Sequence, residues 1–178
     1  YDYRGDVPAA LKAWHLAVTL DSKLSLPLND LGIHYCHTGS YKRGLGYFDR
    51  ALELEPDHPD YLFNVAQIYL INWPQVGEHY GWNTEKVYRK AMGASRRAAE
   101  LSPDSMTLNQ DYATNFFRGE HLKLSVNWAK AAEAWQRTRA LAPSSNDLFY
   151  AWLNEGRTWL RHGSNDRAAT CFREALKI

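Results

Sequence analysis

The sequence predicts an all-α fold built from repeated pairs of antiparallel helices, and three observations lead to it. Large apolar residues recur at helical spacing from small ones: Leu28, Leu31, Gly32 and Tyr35 are followed by Gly44, Phe48, Ala51 and Pro56. Such spacing places each set on one helix face. The interval from the small residue of one second helix to that of the next first helix is nearly constant. Ala10 to Gly32, Gly44 to Ala66 and Ala91 to Ala113 are each 22 residues, and Ala131 to Gly156 is 25. Finally, turn residues punctuate the periodic segments. Gly39-Ser40 and Gly163-Ser164 each read as a helix stop followed by an N-cap.

Along the chain, Tyr1 reads as the tail of a first helix whose partner carries Ala10, Trp14 and Ala17, opened by Gly5-Asp6 with Pro8 in its first turn. The pair around Gly32 and Gly44 follows. Next, Leu62, Val65, Ala66 and Tyr69 lead to Ala91, Ser95, Ala98 and Pro103. Asn109, Tyr112, Ala113 and Phe116 lead to Ala131, Trp135, Thr138 and Pro143, and Trp152, Glu155, Gly156 and Trp159 lead to Ala168, Phe172 and Ala175. The small residues let paired helices approach closely, while Phe48, Trp135 and Phe172 are expected to fill the gap between one pair and the next. Ser95, Asn109, Thr138 and Glu155 depart from the apolar pattern.

This pattern resembles the tetratricopeptide repeat, a 34-residue helix–turn–helix unit, and the resemblance covers the whole chain. It implies an α-solenoid of antiparallel helix pairs, a TPR-like superhelix in one domain without a linker. About five repeats, the first and last truncated, fall at residues 1–24, 25–58, 59–105, 106–145 and 146–178. A lone pair cannot bury its apolar face, so stability is roughly a sum of repeats and interfaces. The chain opens and closes inside helix pairs and is expected to be a piece of a longer protein. Localisation stays open.

Composition narrows the partner classes. With 21 basic and 20 acidic residues, the chain lacks the basic excess of a nucleic-acid footprint, so no nucleic acid is expected. No apolar run approaches the ~20 residues of a membrane span. Cys36 and Cys171 lie in well-separated repeats, which argues against a disulfide between them. His34 and His37 share a helix face, but Cys36 points elsewhere, and two ligands do not close a zinc site. No phosphate loop, nucleophile elbow or metal-binding His-Glu motif is present. No metal, cofactor or enzymatic activity is expected.

Within a pair, Gly32 to Gly44 and Gly156 to Ala168 are each 12 residues, but Ala66 to Ala91 is 25 and Ala113 to Ala131 is 18. Two adjacent pairs therefore carry insertions in the turn between first and second helix, near 71–83 and 118–125. Insertions in repeat arrays map to loops on one edge, often the binding edge, so the two are expected side by side. The first holds Trp73, Tyr80 and Trp82 among Pro74, Gly77 and Gly81. Pro and Gly limit regular structure there, so its aromatics are expected to order it. Two readings stand: these aromatics cover the ends of their own helices, or with His121 and Leu122 they form a ridge that anchors a partner.

The resemblance also implies that first helices line a concave face holding extended peptides. Asp30, Asn64, Asp111 and Asn154 stand two residues ahead of each small residue. Asn can donate to and accept from a peptide unit, while ionised Asp only accepts. The row would grip a peptide backbone, or else solvate the inner face and bond neighbouring helices. Asp2, Asp30 and Asp60 lie toward one end and Arg118, Arg157 and Arg161 toward the other. The arginines are either solvated or face an anionic patch on the partner. The basic clamp by which some family members hold a C-terminal carboxylate is absent, since Asn29, Ile33, Thr107 and Asp111 occupy its positions. The expected function is a protein–protein interaction scaffold using this groove, the inserted loops or both. The alternatives are a self-assembling module, joined through end residues such as Leu11, Trp14, Phe172 and Leu176, and an accessory substrate-recruiting domain of a larger enzyme or secretion complex.

Overall fold

The computed structural model describes residues 6–178, so the expectations on Tyr1, Asp2 and Gly5 lie outside the described residues. Among the described residues there are ten helices: α1 (Val7–Leu20), α2 (Ser25–His37), α3 (Tyr41–Leu54), α4 (Pro59–Ile71), α5 (Trp73–Tyr80), α6 (Thr84–Leu101), α7 (Met106–His121), α8 (Trp128–Ala140), α9 (Ser145–His162) and α10 (Asn165–Ala175). They form two compact units, residues 1–94 and 95–178, with the division inside α6. None of the helices is long and apolar enough to cross a membrane.

In unit one, α2 and α3 approach closely. A Cβ built on Gly44 would lie 2.5 Å from the Cys36 sulfur and 2.9 Å from the Gly32 carbonyl oxygen. One on Gly32 would lie 2.9 Å from the Phe48 ring. Phe48 thus also covers the glycine of its own pair, a contact beyond the expected one to the next pair. It does so while sharing a core cluster with Val65, Ile68, Tyr69 and Val76. In unit two the arrangement recurs: a Cβ on Gly156 would lie 2.5 Å from the Phe172 ring. Ala132, Trp159, Ala168 and Cys171 complete that core.

The stops of α2, α7 and α9 share one device. At Gly39, Lys123 and Gly163 the backbone turns left-handed, with φ of 83°, 58° and 85°. The next amide reaches back over the last turn: Ser40 N to Tyr35 O at 2.8 Å, Leu124 N to Gly119 O at 3.0 Å and Ser164 N to Trp159 O at 2.9 Å. These bonds satisfy carbonyls the helix leaves open. Ser40 and Ser164 occupy the N-cap positions of α3 and α10, but neither side chain makes a capping bond. The glycines therefore carry the punctuation. Asp6 does cap α1, accepting from the Ala9 amide at 3.1 Å.

Both insertions are more regular than expected. The first is an eight-residue helix, α5. Pro74 lies in its first turn, where a missing N–H costs nothing. Gly77 permits close passage of the chain, since a Cβ there would lie 2.7 Å from the Trp82 carbonyl. The left-handed stop has moved to Gly81, with φ of 66° and Trp82 N bonding Gly77 O at 2.9 Å. In the second insertion, residues 118–121 belong to α7, so a turn of helix precedes the loop.

Two stability outcomes follow. Gly44→Ala should lose about 3 kcal/mol through overpacking. Gly46→Ala, two residues along the same helix with nothing within 4 Å of its added Cβ, should gain about 0.5–1 kcal/mol. Denaturant melts of the two variants check the contrast. Lys123→Gly should gain about 1 kcal/mol in the same assay by relieving the left-handed strain on a side-chain-bearing residue.

Candidate binding surfaces

In unit one the inserted helix closes onto the core. Trp73, Tyr80 and Trp82 are half-buried and pack against the cluster that contains Phe48, Tyr69 and Val87. Tyr80 stacks on Trp82 with ring centroids 4.4 Å apart at 18°, and Tyr69 meets both rings at an angle. The Tyr80 hydroxyl donates to Asp49 Oδ1 of α3 at 2.7 Å. Lys86 and Lys90 lie over Trp82 at 5.0 and 5.6 Å, within the range of cation–π attraction. These contacts support packing as the role of the three aromatics. His121 and Leu122, named beside them from the sequence, lie in unit two, His121 exposed at the end of α7 and Leu122 as its C-cap.

Burial pushes the Tyr69 hydroxyl up to about 12 and raises Tyr80 as well. An unfolded tyrosine titrates near 10. The folded state therefore holds these protons after the unfolded chain releases them, and stability falls as pH rises from about 10 toward 12. Tyr80→Phe should flatten that alkaline slope while losing about 1 kcal/mol at neutral pH with its bond to Asp49. Urea melts between pH 8 and 11 measure both.

The Asp/Asn row is engaged within the protein. Asn64 Nδ2 donates to Asn29 Oδ1 at 3.2 Å, and Asn29 Nδ2 to Asp30 Oδ1 at 3.4 Å. Asp30 is half-buried, and desolvation raises its pKa. In unit two, Asp111 Oδ2 accepts from Ser95 Oγ at 2.5 Å and from the buried Asn115 Nδ2 at 3.0 Å. Ser95, a departure from the apolar pattern, is thus one end of a buried polar bridge from α6 to α7. Asn154 donates to the Tyr150 carbonyl at 3.0 Å and accepts from Arg157 Nη1 at 3.0 Å.

Glu155, another departure, is only 3 % exposed. Its carboxylate accepts from Arg139 Nε and Gln136 Nε2, both of α8, at 3.0 Å, and from Trp159 Nε1 at 3.4 Å. The Arg139 guanidinium lies 3.6 Å from the Trp152 ring centroid. Nearby, burial and then the Glu155 charge push the Cys171 thiol up to about 11, while burial alone pushes Cys36 to about 12. Neither is a thiolate at neutral pH. Arg139→Ala would leave Glu155 buried without its cation and should lose about 3 kcal/mol in a denaturant melt, with Glu155→Gln losing clearly less.

The most open of these surfaces is α9 beside α7. Tyr150, Asn154, Arg157 and Arg161 form one stripe of α9, with Leu160 at its border. Tyr150 is 51 % exposed and Leu160 49 %. Arg157 and Arg161 both lie over Phe117 of α7, at 5.0 and 5.2 Å, and Arg161 also lies 5.4 Å from the Trp128 ring. Arg118 is exposed on α7. The sequence singled out Asn154 and the arginines but not Tyr150 and Leu160, whose spacing from them on α9 carried the signal. Glu120, which pairs with Arg161 across 41 residues, left no local trace. Among the described residues no cluster of His, Cys, Asp or Glu could hold a metal ion.

The fold and these surfaces define a helical-repeat protein of the interaction type. The profile of the tetratricopeptide repeat matches residues 29–72 and 126–178, more than half of the chain, and the chain belongs to that family. It is 27% identical over 149 residues, 84% of this chain, to the tetratricopeptide repeat-containing protein trd-1 of Caenorhabditis elegans, and it spans 16% of that protein's length. Among solved structures, MamA superposes with a TM-score of 0.67 at 18% identity, over 94% of this chain and 85% of MamA. MamA from Desulfovibrio magneticus RS-1 gives 0.68 at 20% identity, over 98% and 86%. At such identities the likeness shows the fold.

Proposed function

We propose that the chain is a binding scaffold that holds a segment of a protein partner on the first-helix face of unit two, α9 beside α7. The observation that carries this reading is the pair of half-exposed apolar side chains, Tyr150 and Leu160, set around the exposed Arg157. Tyrosine and arginine are favoured interface anchors: tyrosine contributes a large, stiff contact area, and arginine a planar fork of directed donors. Asn154 spends one of its two amide N–H donors on Tyr150 and keeps the other for a peptide carbonyl. Family membership supports a protein partner over a small molecule. On this reading the α5 aromatics stiffen unit one instead of contacting the partner.

The test is a display screen of terminally blocked peptides against the wild-type chain and against the double variant Tyr150→Ser, Leu160→Ser. Both side chains are half exposed, so helical content and melting should change little. Capture should fall at least tenfold on the double variant, as expected when interface anchors are removed. Equal capture by a variant that is still folded would exclude this face.

A further inference from the structure

The two arginines of the α9 face differ in what they have left to offer. The Arg161 Nε lies 2.7 and 2.8 Å from the two Glu120 oxygens, and its Nη1 donates to the Arg157 carbonyl at 3.3 Å. The hydrogen bond from Arg161 to Glu120 lowers the carboxylate's pKa, so Glu120 stays ionised on its partner. Arg157 instead donates to the neutral Asn154 amide at 3.0 Å and lies over Phe117 at 5.0 Å. A guanidinium carries five N–H donors, so most of those on Arg157 stay open on an exposed side chain. The ring and the amide fix its plane beforehand, which reduces the entropy lost when it grips a planar carboxylate.

Charge points the same way. Arg157 and Arg161 of α9 stand against the carboxylate of Glu120 on the facing turn of α7. The face therefore has an excess of positive charge, with one cation neutralised internally and one presented between apolar neighbours.

We propose that Arg157 reads a single acidic side chain of the bound segment, that Tyr150 and Leu160 take its apolar neighbours, and that Glu120 withholds Arg161 from a second acid. This rests on the binding face assigned above. Glu120 is an internal carboxylate already seated where a partner's second one would go. It makes the face selective for an isolated acid within an apolar stretch over an acidic run.

The experiment uses an array of terminally blocked nonapeptides with Glu, Gln or Lys at the centre and Leu, Phe, Ala or Asn in all combinations on either side. A matching set carries a second Glu one helical turn or two extended residues away. Binding to the full chain is measured by fluorescence anisotropy. On the wild type, the best central-Glu peptides should bind about tenfold tighter than their Gln twins, the scale of one charge-assisted bond, and the Lys twins should not bind. Arg157→Gln should bring the Glu-to-Gln ratio to about one. A second Glu should add less than about twofold on the wild type and about tenfold on Glu120→Gln, where Arg161 is released. Equal binding of Glu and Gln twins on the wild type, or a preference that survives Arg157→Gln, overturns the proposal. If that equal binding disappears on the Tyr150→Ser, Leu160→Ser variant, the binding face stands and only its acid selectivity falls. If no peptide in the array binds, both fall.

Discussion

Everything in this fold depends on how closely the two helices of a pair approach. Between α2 and α3 the approach is nearly backbone to backbone, with Gly44 within a methyl group's reach of the Gly32 carbonyl and the Cys36 sulfur. At that separation dispersion is gained along the whole contact, and a single aromatic ring, Phe48 or Phe172, can lie flat over the glycine opposite. The ring then seals its own pair from within. A second helix set even a little farther away would leave a void beside each ring too small for water, and the pair would lose the density that makes it rigid. The open faces, including that of α9, hold their shape because the pairs behind them do.

The fold was legible because this constraint is written locally. Small and aromatic residues must recur at helical spacing, and glycines in left-handed backbone stop α2 and α9. Both appear as short-range patterns. The inserted helix was misread for the same reason. Pro74 and Gly77 look like breakers in isolation, but Pro74 sits in a first turn and Gly77 faces the Trp82 carbonyl at close range. Position within the helix decides what a proline or glycine does, and position became visible only once Gly81 was seen to be the stop.

The binding surface was only half legible. Helical periodicity relates Asn154, Arg157 and Arg161, and sequence reasoning found them. What separates Arg157 from Arg161 is Glu120, a residue from another helix 41 positions away, and no pattern of spacing announces such a pair. The Asp/Asn row bonds inside the protein, partly along its own helices and partly across them. Asn115 and Tyr150 lie one helical turn from Asp111 and Asn154 and are within reach of the same spacing, while Asn29 and Ser95 come to Asn64 and Asp111 from other helices, which only the tertiary structure brings close.

Two of the polar departures from the apolar pattern, Ser95 and Glu155, sit at joints between successive repeats. Glu155 of one repeat meets Arg139 and Gln136 of the one before, Asp111 meets Ser95 in the same sense, and Tyr80 reaches Asp49. Each joint is keyed with its own complement of donors and acceptors, and a mismatched neighbour would leave a desolvated carboxylate or hydroxyl stranded. An apolar joint would accept any similarly shaped repeat. These joints do not, so the order of repeats is fixed by chemistry as well as by the covalent chain. Duplicating or deleting a unit would create a mismatched seam and be penalised there.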